Sequence, residues 1–115
     1  MAHRYLDAWT GGDLDAVRHL LADEVSVESN VSGPGSRARF VDTLAQLAGH
    51  LVKVNIVTET YDGGRAVLMY DCLVREPVGA IRMVDFLDIH DGRVHRVRRV
   101  YDMVALRQLL PDFGA

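Results

Sequence analysis

One stretch constrains the fold more than any other: Ile81 to Asp102, Ile-Arg-Met-Val-Asp-Phe-Leu-Asp-Ile-His-Asp-Gly-Arg-Val-His-Arg-Val-Arg-Arg-Val-Tyr-Asp. It reads as two long strands joined at Asp91-Gly92. Side chains of a strand alternate between faces, so Met83, Asp85, Leu87 and Ile89 share one side, and Arg82, Val84, Phe86, Asp88 and His90 the other. Asp85 therefore stands in a row of large apolar groups. A carboxylate in that position must find a partner, shift its pKa or line a polar pocket, which marks it as a candidate functional residue.

The turn sets which residues join it. A two-residue loop pairs His90 with Arg93 and places Asp85 among Arg96, Arg98 and Val100. A three-residue loop with Gly92 in the left-handed conformation pairs Ile89 with Arg93 and sets Asp85 opposite Val97. The second register gathers Met83, Leu87, Ile89, Val97 and Tyr101 on one face, together with Asp85, His95 and Arg99. Because a one-residue slip inverts a whole strand, the register that collects the apolar residues is the expected one.

The rest of the chain supplies helices first and strands after. Tyr5, Leu6 and Trp9 are spaced for a short helix over 3–10, ended by Gly11-Gly12. Asp13 caps a second helix running to about Ala22, with Leu14, Val17, Leu20 and Leu21 as its stripe. Val25 to Glu28 is a short strand, Gly33-Pro34-Gly35 a turn, and Ser36 the cap of a helix to about Ala48 with Phe40, Leu44 and Leu47 inward. Strands follow over 51–60 and 65–75, turned at Asp62-Gly63-Gly64 and again at Glu76-Pro77-Val78-Gly79, before the hairpin above. Asp102 caps a last helical stretch, Met103 to Leu110, stopped by Pro111. The fold expected is α+β: a single domain over residues 1–115, with a curved antiparallel sheet wrapped around N-terminal helices and a pocket between them.

Composition narrows the partners. The net charge of −3 argues against a nucleic-acid surface, and the arginines at 93, 96, 98 and 99 are interleaved with Asp85, Asp88, Asp91 and Asp102. Cys72 is the single cysteine, in an apolar run, and reads as a buried structural thiol. No apolar stretch approaches membrane-spanning length and no leader precedes the first helix, so the expected compartment is the cytoplasm. Without a secretion signal, the sequon Asn30-Val31-Ser32 carries little weight. His3, His19 and His50 lack ligand spacing, so neither a metal site nor a cofactor is expected.

The opening, Arg4-Tyr5-Leu6-Asp7-Ala8-Trp9-Thr10-Gly11-Gly12-Asp13-Leu14-Asp15-Ala16-Val17, followed by Leu21-Ala22-Asp23-Glu24-Val25-Ser26-Val27-Glu28, resembles the start of SnoaL-like and ketosteroid-isomerase-like proteins. Phe86 through Asp91-Gly92-Arg93-Val94 to Tyr101-Asp102 is similar to their ending, so the resemblance spans nearly the whole chain. It implies the cone-shaped α+β fold of the nuclear transport factor 2 superfamily, whose members include isomerases, cyclases, epoxide hydrolases, dehydratases and binding modules. By resemblance Tyr5 falls at a tyrosine and Asp85 at a protonated acid that together form the oxyanion hole of ketosteroid isomerases, a worked case of a carboxylic acid kept neutral. The proton-shuttling aspartate of that pattern falls at Ser29. The epoxide-hydrolase pattern departs at Arg99, where its last aspartate belongs, and the strand Val67 to Val74 lacks the Arg-x-Asp pair. Asp102 falls near the acid/base aspartate of polyketide cyclases.

The resemblance thus implies cofactor-free acid/base chemistry on a small hydrophobic carbonyl or polyketide-like molecule: isomerisation, aldol cyclisation or dehydration through an enolate. Tyr5 and Asp85 would stabilise the enolate, and His95, Asp102 or Asp71 would move the proton; parity alone leaves the face of Asp71 open. Trp9, Ser29, Met83, Leu87, Val97, Arg99 and Tyr101 are the expected substrate-lining residues. Bland roles compete throughout: Arg99 neutralising Asp85, Tyr5 in a helix core, Asp102 as a helix cap, His95 as an edge residue. The alternative functions are a hydrophobic-ligand-binding or dimerising module that lacks the reaction, and an epoxide-hydrolase-like enzyme. Phe86, Val84 and Val100 on the outer sheet face suggest a homodimer.

Overall fold

The computed structural model describes residues 1–30 and 35–111. Three helices come first, α1 (Ala2–Thr10), α2 (Leu14–Leu20) and α3 (Arg37–Ala48), with strand β1 (Leu21–Ser29) between the second and third. Then come β2 (Lys53–Asp62), β3 (Arg65–Leu73), β4 (Ala80–His90) and β5 (Arg93–Tyr101), and the short helix α4 (Met103–Leu109). The caps are those the sequence provides. Asp13, Ser36 and Asp102 each accept a hydrogen bond from the backbone N–H three residues on, meeting one of the otherwise orphaned donors of α2, α3 and α4. The turn at Gly33-Pro34 and the Val31-Ser32 part of the sequon lie outside the described residues.

The five strands form one curved, unclosed sheet in the order β1-β5-β4-β3-β2. Its inner face is built from alternate residues, Leu68, Tyr70 and Cys72 on β3, Met83 and Leu87 on β4, Val97 on β5, all fully or almost fully buried. Tyr5, Leu6 and Trp9 of α1 and Phe40, Val41, Leu44 and Leu47 of α3 belong to the same buried cluster. The helices therefore cover one face of the sheet, and the charged floor of the site lies between the two layers.

Two features differ from the sequence reading. The segment expected to end α2 and then form a short strand is instead one long strand, β1, and it pairs parallel to β5, so the sheet is not purely antiparallel. Parallel partners give no hairpin signal, because nothing short connects them.

The β4–β5 turn is the second difference. The loop has two residues, Asp91 (φ 52) and Gly92 (φ 73), both left-handed, with His90 paired to Arg93 and Ile89 to Val94. The register then shifts: Asp88 faces Arg96, leaving His95 as the extra residue of a bulge. Beyond it Asp85 lies opposite Arg99, Leu87 opposite Val97 and Met83 opposite Tyr101. The expected inner face is reached, but by a tight turn plus a bulge rather than by a three-residue loop. His95 is the residue displaced by that difference. It is exposed, not inward, and its ring stands edge-on to His90 at 5.6 Å.

Candidate functional site

Four polar side chains from four elements meet at the floor of the concave face: Tyr5 on α1, Tyr70 on β3, Asp85 on β4 and Arg99 on β5. Asp85 is 0% and Arg99 1% exposed. Cross-strand pairing puts the two charges side by side, and the guanidinium takes the carboxylate in fork geometry, Nε to Oδ1 at 2.6 Å and Nη2 to Oδ2 at 2.8 Å. The Tyr70 hydroxyl donates to Oδ2 at 2.7 Å, and the Tyr5 hydroxyl to the same oxygen at 3.2 Å. Both hydroxyls accept in turn from Arg99 Nη2, at 2.9 Å for Tyr5 and 3.1 Å for Tyr70.

Aromatic rings enclose the cation. Arg99 Cζ stands 4.9 Å from the Trp9 ring centroid, 5.3 Å from that of Phe40 and 5.6 Å from that of Tyr101. Burial pushes the Tyr5 and Tyr70 hydroxyls well above the ordinary phenol range; Arg99 opposes that shift and Asp85 reinforces it. Burial also works against the charge on Arg99, but Asp85 and the surrounding hydroxyls outweigh it and raise its pKa well above the usual guanidinium value. The centre is thus a buried ion pair flanked by neutral phenols.

The hydrogens of this centre limit what it can do. A phenol has one hydrogen to donate, and an ion-paired carboxylate has none. The hydroxyl hydrogens of Tyr5 and Tyr70 both go to Asp85, and Asp85 accepts throughout. No donor from these three is left for a substrate oxygen, so the pairing differs from the tyrosine-plus-neutral-acid arrangement that the resemblance implies. Two buried side-chain donors carry no hydrogen bond among the described residues, Arg99 Nη1 and Trp9 Nε1. Burial raises the Tyr101 hydroxyl above the ordinary phenol range, opposed by the charge and the hydrogen-bonding approach of Arg99.

The remaining expected residues are distributed as follows. Met83, Leu87 and Val97 are buried on the inner face around the ion pair, and Tyr101 is 8% exposed. Ser29 is half-buried on β1, in register with Arg99. Asp102 is exposed and caps α4, and His95 is on the bulge, so neither joins the inner cluster. Asp71 lies outside the inner row and accepts from Nε and Nη2 of Arg82, at 2.8 and 3.0 Å, which lowers its pKa. Among the described residues no three His, Cys, Asp or Glu side chains stand together as metal ligands, and no helix is long and apolar enough to cross a membrane. Sequence reading missed Tyr70 as a site residue. Its signal was present in the row Ala66, Leu68, Tyr70, Cys72, which places its hydroxyl on the same face as Asp85 two strands from Arg99.

An open curved sheet packed on three helices, with its polar centre between the layers, is the nuclear transport factor 2-like class of fold. Within that class the chain belongs to the SnoaL-like domain family, whose pattern matches residues 2–97. It is similar to a crystal structure of a protein from Kribbella flavida at 28% identity and TM-score 0.84, covering 94% of this chain and 88% of that one. It is also similar to a candidate ketosteroid isomerase from the same organism (22% identity, TM-score 0.71, covering 87% and 73%). A Mycobacterium tuberculosis LEH-like epoxide hydrolase matches at 18% identity and TM-score 0.71, over 96% and 86%. Those last two show the fold alone. No curated protein matches the chain.

Proposed function

We propose that the domain takes up a small hydrophobic carbonyl compound between α1, α3 and the concave sheet, and acts on it by cofactor-free acid/base chemistry in the cytoplasm. The reaction class is that of an isomerase, cyclase or dehydratase working through an enolate. The observation that carries the reading is the buried Asp85–Arg99 pair. Burying two charges costs several kcal/mol of desolvation per ion before their attraction repays it, so it is a poor device for stability alone and a common one at functional sites.

The roles differ from those the resemblance implies. Arg99, a permanent cation ringed by Trp9, Phe40 and Tyr101, is the electrophilic element. Among the described residues Asp85 is the carboxylate of the inner cluster, and it is the group placed to move a proton. Tyr5 and Tyr70 orient it. A second reading, a ligand-binding module without turnover, is favoured by one observation: the Tyr5 and Tyr70 hydroxyls each give their single hydrogen to Asp85 and accept from Arg99. Ser29, where a shuttling aspartate would stand, agrees with it.

Exchange of α-hydrogens for deuterium separates the two. Hydrophobic ketones incubated with the protein in heavy water should gain deuterium faster than in buffer, with loss of the effect in Asp85→Asn that remains folded by circular dichroism. Saturable quenching of the single tryptophan without exchange would leave the binding reading. The absence of both would end the proposal.

A further inference from the structure

At the end of β5 opposite Tyr101, five side chains from four elements line a depression of about 270 Å³: Arg18 and His19 of α2, Asp23 of β1, Arg37 of α3 and Arg93 of β5. The fold brings them there. β1 begins beside β5, with Leu21 against Val94, so the start of β5 meets the end of α2. Arg18 and His19 occupy the last turn of α2, where a cation suits the negative end of the helix. Arg37 has no such reason. It opens α3, whose first turn carries no acidic residue, and a cation at the positive end of a helix is unfavourable. A placement that costs stability asks for another explanation.

The charges around the depression do not balance. Asp15, at its rim, takes Arg18 at 2.7 Å, and Asp23 takes Arg37 at 3.0 Å. The same oxygen of Asp23 stands 4.0 Å from Arg93 Nη1, beyond hydrogen-bonding distance. Three guanidiniums thus share two carboxylates, in a chain whose net charge is −3. Both carboxylates are largely exposed, so these pairs are weak and easily rearranged. Asp23 already draws two arginines from different elements toward one oxygen. A phosphate monoester has three terminal oxygens and close to two negative charges, enough to take forked donors from more than one arginine. A carboxylate has two oxygens and a single charge.

We propose that Arg18, Arg37 and Arg93 form a binding site for the dianionic phosphate group of a small soluble molecule. The site lies outside the concave face and does not depend on the chemistry proposed there.

Phenyl phosphate, inorganic phosphate and benzoate test it, titrated into nitrogen-15-labelled protein at low ionic strength and pH 8, where the phosphates are dianions. Both phosphates should give saturable shifts of the backbone signals of residues 18, 19, 23, 37 and 93. Benzoate should bind at least about tenfold more weakly than phenyl phosphate. Arg37→Gln and Arg93→Gln should each weaken phenyl phosphate about tenfold, the factor expected for a lost hydrogen bond to a charged group, at a urea midpoint close to that of the wild type. Asp23→Asn keeps an acceptor for Arg37 and removes a negative charge, so it should tighten binding. Arginines that serve only as surface ion pairs would show lower urea midpoints in these variants and no saturable binding of phosphate, which overturns the site. Benzoate binding as tightly as phenyl phosphate overturns the choice of a dianion. Shifts centred instead on Arg96 and Arg98 overturn the location.

Discussion

Arg99 and Asp85 depend on one another more than on anything else in the core. Removing either leaves a buried charge with no partner, which costs about 3–5 kcal/mol, whereas replacing both with apolar groups of similar volume is often close to neutral. Asp85→Leu and Arg99→Met should each lower the urea midpoint strongly, and the double variant should be more stable than the sum of the two losses predicts. Additive losses would mean that the two charges do not compensate each other. The phenols and the thiol beside them give a second prediction. Burial raises Cys72 from 9.0 to about 12, and raises Tyr5 and Tyr70 well above 10.0. The unfolded chain therefore gives up these protons first, and the stability they contribute is complete below pH 9 and falls as pH rises through the folded values. Each such group lowers stability by about 1.4 kcal/mol per pH unit once it is ionised only in the unfolded state. Urea midpoints measured from pH 8 upward should begin to drop near pH 9, and in Cys72→Val the drop should start nearer pH 10. The importance of Asp85 was legible from its place in an apolar row. Its partner was left open, because alternation tells which face a residue takes and not which hydrogen bonds it makes there.

At the scale of elements, the strands and caps were legible because each rests on local chemistry: Asp13, Ser36 and Asp102 before their helices, and alternating runs on either side of Asp91-Gly92. The parallel pairing of β1 was not, since it joins residues far apart in the chain with no turn to announce it. The β5 bulge was hidden for another reason. Val94 and Val97 are both buried although they stand three positions apart, a spacing that puts them on opposite faces of a regular strand, and only an extra residue between them reconciles the two. That extra residue makes β5 tolerant of loss. Deleting His95 leaves Asp88 opposite Arg96 and Asp85 opposite Arg99, now in an unbroken ladder. The deletion variant should fold with the ion pair kept, as near-native urea stability and a near-native alkaline profile would report. An inserted residue at the same place has no such solution and should cost far more. Equal damage from deletion and insertion would remove the slack from this account.

For the whole molecule, the outer face of the sheet carries apolar side chains without cover. Phe86 (39% exposed) and Val100 (46%) stand there beside a depression of about 440 Å³ lined also by Glu28 and Arg98. Arg98 stacks over Phe86 at 6.0 Å, and the pairs Asp71–Arg82 and Glu28–Arg96 flank the apolar strip. An apolar strip with a rim of both signs suits a second copy turned about a two-fold axis. Light scattering should give twice the mass of the chain, and Phe86→Lys with Val100→Glu should return a folded single chain; a wild-type monomer would exclude the dimer.

The same architecture has a bearing on synthesis. Tyr5 and Arg99 touch across 94 positions of sequence, and β1 finds its neighbour only in β5. A chain emerging from the ribosome therefore carries Tyr5 and the first strand long before the cation and the strand that complete them exist. Until Arg99 is made, the centre of the molecule is an acid without its base, and the sheet cannot close around it.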